Sequence, residues 1–199
     1  MSTVQDQSRF SPLGPLVGTD FLTKTSIGSV NIPGIIAGVL ALVSLFSPWW
    51  GIVTTGFNIS ASNMFGPLFM PGQGGQGVNS SFAQTMNTYA TVILVLALAA
   101  IAFAFIGSFT PSLRPLAAGL FFSISSLVGY TVLLNYALSQ NCQGNNNCIH
   151  QVSGSSSFFS ITTTWGFQTG FYLFLAGTVS MIVAVAYHQI TTHTKRQAQ

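Results

Sequence analysis

Few side chains here can do chemistry: the chain holds two Cys, three His and two Asp or Glu. Cys142 and Cys148 flank the segment QGNNN, with His150 just beyond. So short and flexible a segment lets the two sulfurs meet. In an oxidising medium this predicts a disulfide contributing about 2 kcal/mol; in a reducing one, two free thiols. Zinc would need more ligands than His150 adds. A haem held between two histidines would need a partner facing His188, and His150 lies in a different segment. Asp6 and Asp20 both fall in the N-terminal segment. No Ser/His/Asp set, paired carboxylates or phosphate loop can be assembled, so catalysis by this chain, a cofactor and a metal are not expected. Five Lys and Arg make no basic stripe, which argues against nucleic acid as a partner.

The remaining polar candidates, Ser123, Ser126, Tyr130 and Asn135, lie in apolar surroundings. A soluble domain carries about a quarter charged residues. This chain carries 4%, with 49% hydrophobic residues and a mean hydropathy of +0.57. The run YATVILVLALAAIAFAFIGSF (residues 89–109) has no charge, Asn, Gln or Pro. At about 1.5 Å per residue it is about 30 Å long, the hydrocarbon thickness of a bilayer.

That run sets how the other apolar segments are read. Residues 1–29 form a tail, either flexible or partly lying against a membrane face. Spans are expected at 30–52, 89–109, 116–138 and 166–190, in one domain. The connections are a long loop at 53–88, a short link at 110–115, a second long loop at 139–165 and a tail at 191–199. Pro33 suits a helix's first turn. Pro48, Trp49 and Trp50 mark the first span's outer end, since tryptophan favours membrane interfaces. Gly34 and Gly38 form a GxxxG spacing that permits close helix approach, if it is more than a chance match. Gly119 and Ser123 recur with Ser126 on one face of the third span, predicted to turn inward, with Phe121, Phe122, Leu127 and Leu134 nearer lipid. Asn135 reads chiefly as an interhelical hydrogen-bond donor. The segments GIVTTGFNIS and FFSITTTW are strand candidates.

Arg9, Lys24, Arg114, Lys195 and Arg196 all fall in the tails and the short link, and the long loops hold none. The positive-inside rule then puts both termini in the cytoplasm and both long loops outside. The cysteines and the glycosylation acceptors Asn58 and Asn79 fall in the outer loops, as that orientation requires. Those loops have no charged residue at all. Three explanations stand: an acidic exterior, coverage by other proteins or copies, or a self-packed cap of paired strands.

The topology resembles the claudin and peripheral-myelin-protein type of tetraspan: four spans, cytoplasmic termini, a longer first outer loop and tryptophans after the first span. The resemblance implies a left-handed four-helix bundle, a small outer sheet and side-to-side assembly. It extends to no specific motif. Residues 51–88 lack that family's tryptophan and cysteines, and the second loop lacks the Cys-Cys-Gly of tetraspanins.

The expected fold is an all-α integral membrane protein, a four-helix bundle with a small extracellular sheet. The expected function is non-catalytic association with other membrane proteins or with itself. The chain would be an accessory subunit or a structural protein of an envelope, vesicle or virion. Trp49, Trp50, Phe65, Phe69 and Met70 would form the outer contact. Gly34, Gly38, Gly119 and Ser123 would pack helices. The alternative is an oligomeric transporter with a polar pore of Ser123, Ser126, Tyr130 and Asn135. An electron-transfer subunit using His188 comes last.

Overall fold

The computed structural model describes residues 30–57, 59–68, 80–142 and 148–197. Among the described residues, four helices and four strands follow in the order α1 (Ile32–Leu45), β1 (Trp50–Gly56), β2 (Ile59–Phe65), α2 (Ser80–Phe109), α3 (Leu113–Asn141), β3 (Gly154–Phe158), β4 (Ile161–Phe167) and α4 (Thr169–Gln197). α2, α3 and α4 are long and apolar enough to cross a membrane, with mean hydropathies of 2.8, 1.8 and 1.8 over their most apolar stretches. α1 is apolar but shorter.

The helices form a closed ring. α2 packs mainly on α3 and α1 on α4, while α1–α2 and α3–α4 contacts complete it. Small residues set these approaches. A Cβ on Gly34 would collide with Ser108 Oγ of α2, and one on Gly38 would sit 3.0 Å from the Phe105 ring. One on Gly119 would lie 3.3 Å from Phe103 and Ala104 of α2 and from Met181 of α4. Along α2, Ala90, Ile93, Ala97, Ala100 and Ala104 face inward, while Val92, Val95 and Leu98 face out. Exposed Val128 and Val132 on α3 and Val179 and Val183 on α4 continue this apolar exterior.

Helix limits differ from the predicted spans at the sheet end. α1 stops at Leu45 instead of running to residue 52. Pro48 biases Ser47 away from helical geometry, and Trp49 N–H donates to the Phe65 carbonyl at 2.8 Å, opening the sheet. α2 begins nine residues before 89 because Phe82, Met86, Ala90 and Ile93 make one buried helical face. Gly166 and Phe167, expected in the fourth span, belong to β4. Leu134, predicted nearer lipid, is fully buried, whereas Phe121 is 66% exposed.

The strands form one antiparallel sheet in the order β2-β1-β4-β3. Its centre joins segments more than a hundred residues apart, with Ile52 opposite Trp165 and Thr54 opposite Thr163. Both strand candidates therefore pair in one cap above the helix ends.

Candidate functional site

The junction of sheet and helices is built around Trp49 and Trp50, neither of which has any exposed surface. Trp49 Nε1–H donates to the Ser44 carbonyl at 3.0 Å. Its ring meets Tyr130 edge-on at 5.1 Å and lies 4.8 Å from Phe174. The Trp49 carbonyl accepts from Gln168 N–H, and that of Pro48 from Gly170 N–H, both at 2.9 Å, which fixes the start of α4. Trp50 packs at 5.6 Å on both Phe65 and Phe82.

These contacts correct the predicted outer contact surface. Trp49, Trp50 and Phe65 are core residues, at most 1% exposed. The indole N–H groups that suit a wet interface find carbonyl acceptors inside the protein instead, so the rings can be fully buried. Phe69 and Met70, and the acceptors Asn58 and Asn79, lie outside the described residues.

Cys142 and Cys148 are joined in a disulfide, with Cα atoms 5.3 Å apart. The backbone beyond it is gripped by two indoles. Trp50 donates to the Val152 carbonyl at 2.6 Å, and Trp165 to that of Gln151 at 3.0 Å. An open groove of about 820 Å³ lies between this turn and the inner face of β3 and β4, lined by Ile149, His150, Phe158, Thr163 and Trp165. The ligand atoms of His150 and the two cysteines lie within 4.8 Å of one another. With the sulfurs bonded together, they offer a metal no thiolate.

The polar candidates of α3 do not line a common path. Ser126 and Tyr130 are buried, while Asn135 is exposed and donates to Thr131 of its own helix at 2.9 Å. The interhelical bond expected of Asn135 is made by Ser123 instead, which meets Thr178 of α4. Thr178 gives its proton to the Phe174 carbonyl at 3.0 Å, so Ser123 is the donor. Tyr130 donates to the Phe65 carbonyl at 3.4 Å, tying α3 to the sheet. His188 Nε2–H donates to the Pro111 carbonyl at 3.1 Å, at the far end of the bundle.

Asn31 escaped sequence reasoning. Only 3% exposed, it caps α1 by accepting from Gly34 N–H at 3.1 Å and donates to the Ala184 carbonyl of α4 at 2.9 Å. Its signal was an N-cap residue type just before the Pro33 turn.

The outer face of the sheet is a plane of hydroxyl groups. Pairing register sets Ser157, Thr162, Thr55 and Ser60 in one row across the four strands, and Ser155, Thr164, Val53 and Ser62 in the next. Ser157 and Thr162 hydroxyls lie 3.2 Å apart. The edge strand β3 is exposed at every residue.

No known protein family and no curated protein matches this chain in sequence. Neither comparison lends support to the claudin-type resemblance.

Proposed function

We propose that this chain is a non-catalytic, four-span membrane protein that works by side-to-side association, with copies of itself or with other membrane proteins. It would serve as an accessory subunit or as a structural protein of an envelope, vesicle or virion membrane. α1 would be the fourth span, carried by its neighbours despite its length. Both termini would be cytoplasmic and the sheet outside. The distribution of basic residues, the apolar exterior of the helices and a disulfide on the sheet side support that orientation.

One observation carries the association. Among the described residues the sheet ends in β2 on one side and β3 on the other, and neither strand contains a charge or a proline. Natural sheets guard their edges with such residues, because an unguarded edge templates pairing. Four alternating strands leave the two edges running in opposite senses. A copy displaced sideways without rotation therefore presents its β2 antiparallel to β3. Such pairing keeps every helix pointing the same way, as a shared bilayer demands, and continues as an open row.

Size measurement of the full chain in mild detergent, with cross-linking, tests this. Multiples of the single chain or a defined co-purifying partner are expected. Ser155→Lys with Ser157→Lys would guard the β3 edge and reduce self-assembly while leaving helicity unchanged. A clean wild-type monomer would overturn association; assemblies indifferent to the lysines would overturn pairing through β3.

A further inference from the structure

The two hairpins end side by side at the end of the sheet remote from the helices. Gly56 pairs with Ile59 across the first turn, and Phe158 with Ile161 across the second. A Cβ on Gly56 would collide with the Ser160 carbonyl and lie 2.7 Å from Ile161 Cα, so the two tips touch. Phe57, Phe158 and Phe159 crown this joint tip at 68%, 72% and 86% exposure. The last two rings meet edge-on at 4.5 Å.

Folding does not explain these residue types. Phe57 and Phe159 have φ of 45° and 51°, the left-handed region where glycine or asparagine is favoured and a bulky side chain is not. Solubility does not explain them either. No charged residue occurs anywhere in 53–88 or 139–165.

We propose that this tip inserts into the facing leaflet of a second, apposed bilayer. Three side chains fall far short of the roughly 1,200–2,000 Å² that a stable protein–protein interface buries. A lipid surface requires no such area or shape match, and aromatic rings partition into its interfacial region. With no charge at the tip, and in the form of the chain whose Asn58 carries no glycan, the lipid chemistry recognised is the acyl–headgroup boundary itself, not an anionic headgroup. The strands carry the tip about 20 Å beyond Trp50, away from the helix bundle. Each tip holds weakly, so rows of copies would add their contacts.

This docking rests on the four-span placement proposed above, and the test separates the two. The full chain is reconstituted in phosphatidylcholine vesicles and mixed with protein-free labelled phosphatidylcholine vesicles. Co-sedimentation of the label is expected, and it should be unchanged between low and high salt. Phe57→Gly with Phe159→Gly removes two rings while relaxing the backbone, so the fold survives. Its docking should fall by about tenfold or more. Wild-type docking by that variant, no docking at all, or docking only when both vesicle sets carry protein would overturn the proposal; the last outcome would mean that tips pair with a second copy. Protein stripped from its own vesicles by alkaline carbonate would instead refute the membrane placement.

Discussion

The indole of Trp50 donates to the carbonyl of Val152, 102 residues away, at 2.6 Å. This bond stitches the segment after α1 to the segment after α3. The Cys142–Cys148 disulfide anchors the same strip of backbone from its other side. Replacing both cysteines with serine should therefore lower stability by about 2 kcal/mol and change tryptophan fluorescence before the helices melt. A thermal melt followed by fluorescence and far-ultraviolet dichroism checks this. Coincident, unshifted transitions would count against it.

Gly34 and Ser108 share one tight contact between α1 and α2. Gly34→Ala should cost about 1–3 kcal/mol through overpacking. The other atoms near that Cβ lie at 3.4 Å or more, an ordinary contact distance. Ser108→Ala alone loses the hydroxyl's 2.7 Å bond to the Ala104 carbonyl, worth about 1 kcal/mol. The double variant should be more stable than the sum of the two losses predicts. Strict additivity in denaturation midpoints would mean that Ser108 is not what limits the approach.

Asn31 both caps α1 and bridges to α4. Asn31→Ser keeps a capping oxygen and loses the bridge, at a cost of about 1 kcal/mol. Asn31→Asp sets a carboxylate against the Ala184 carbonyl in a buried site, so it should be the worse variant at pH 7. Melts of both variants at pH 7 decide. Equal midpoints at pH 7 would remove the Ala184 bridge from the account.

Residues 30–199 contain no Asp or Glu. A carboxylate paired in the folded state has a depressed pKa, and its stabilisation is lost as pH falls through that value. No side chain of residues 30–199 can lose stability this way. The unfolding midpoint should stay level from pH 5 to pH 3, and a steep fall would contradict this.

Charge-free apolar runs were legible in sequence because burial in lipid or protein leaves a local compositional mark. The cysteine pair and the two strand segments were legible too, since ring closure and period-two alternation are short-range properties. The fate of Trp49 and Trp50 was not. Tryptophan beside a span reads equally as an interfacial anchor and as core. Only carbonyls from Ser44 and Val152, and rings from Phe82, Tyr130 and Phe174, settle it as core.

By itself, then, the amino-acid order determined the apolar helices, their small-residue faces and a charge-free pair of loops. Tertiary structure alone decided that these loops join edge to edge as β2-β1-β4-β3, with β1 from one beside β4 from the other. It also gathered Phe57, Phe158 and Phe159 at one tip. Strand pairing between distant segments depends on register and on which helix ends meet, and neither is written in any local window.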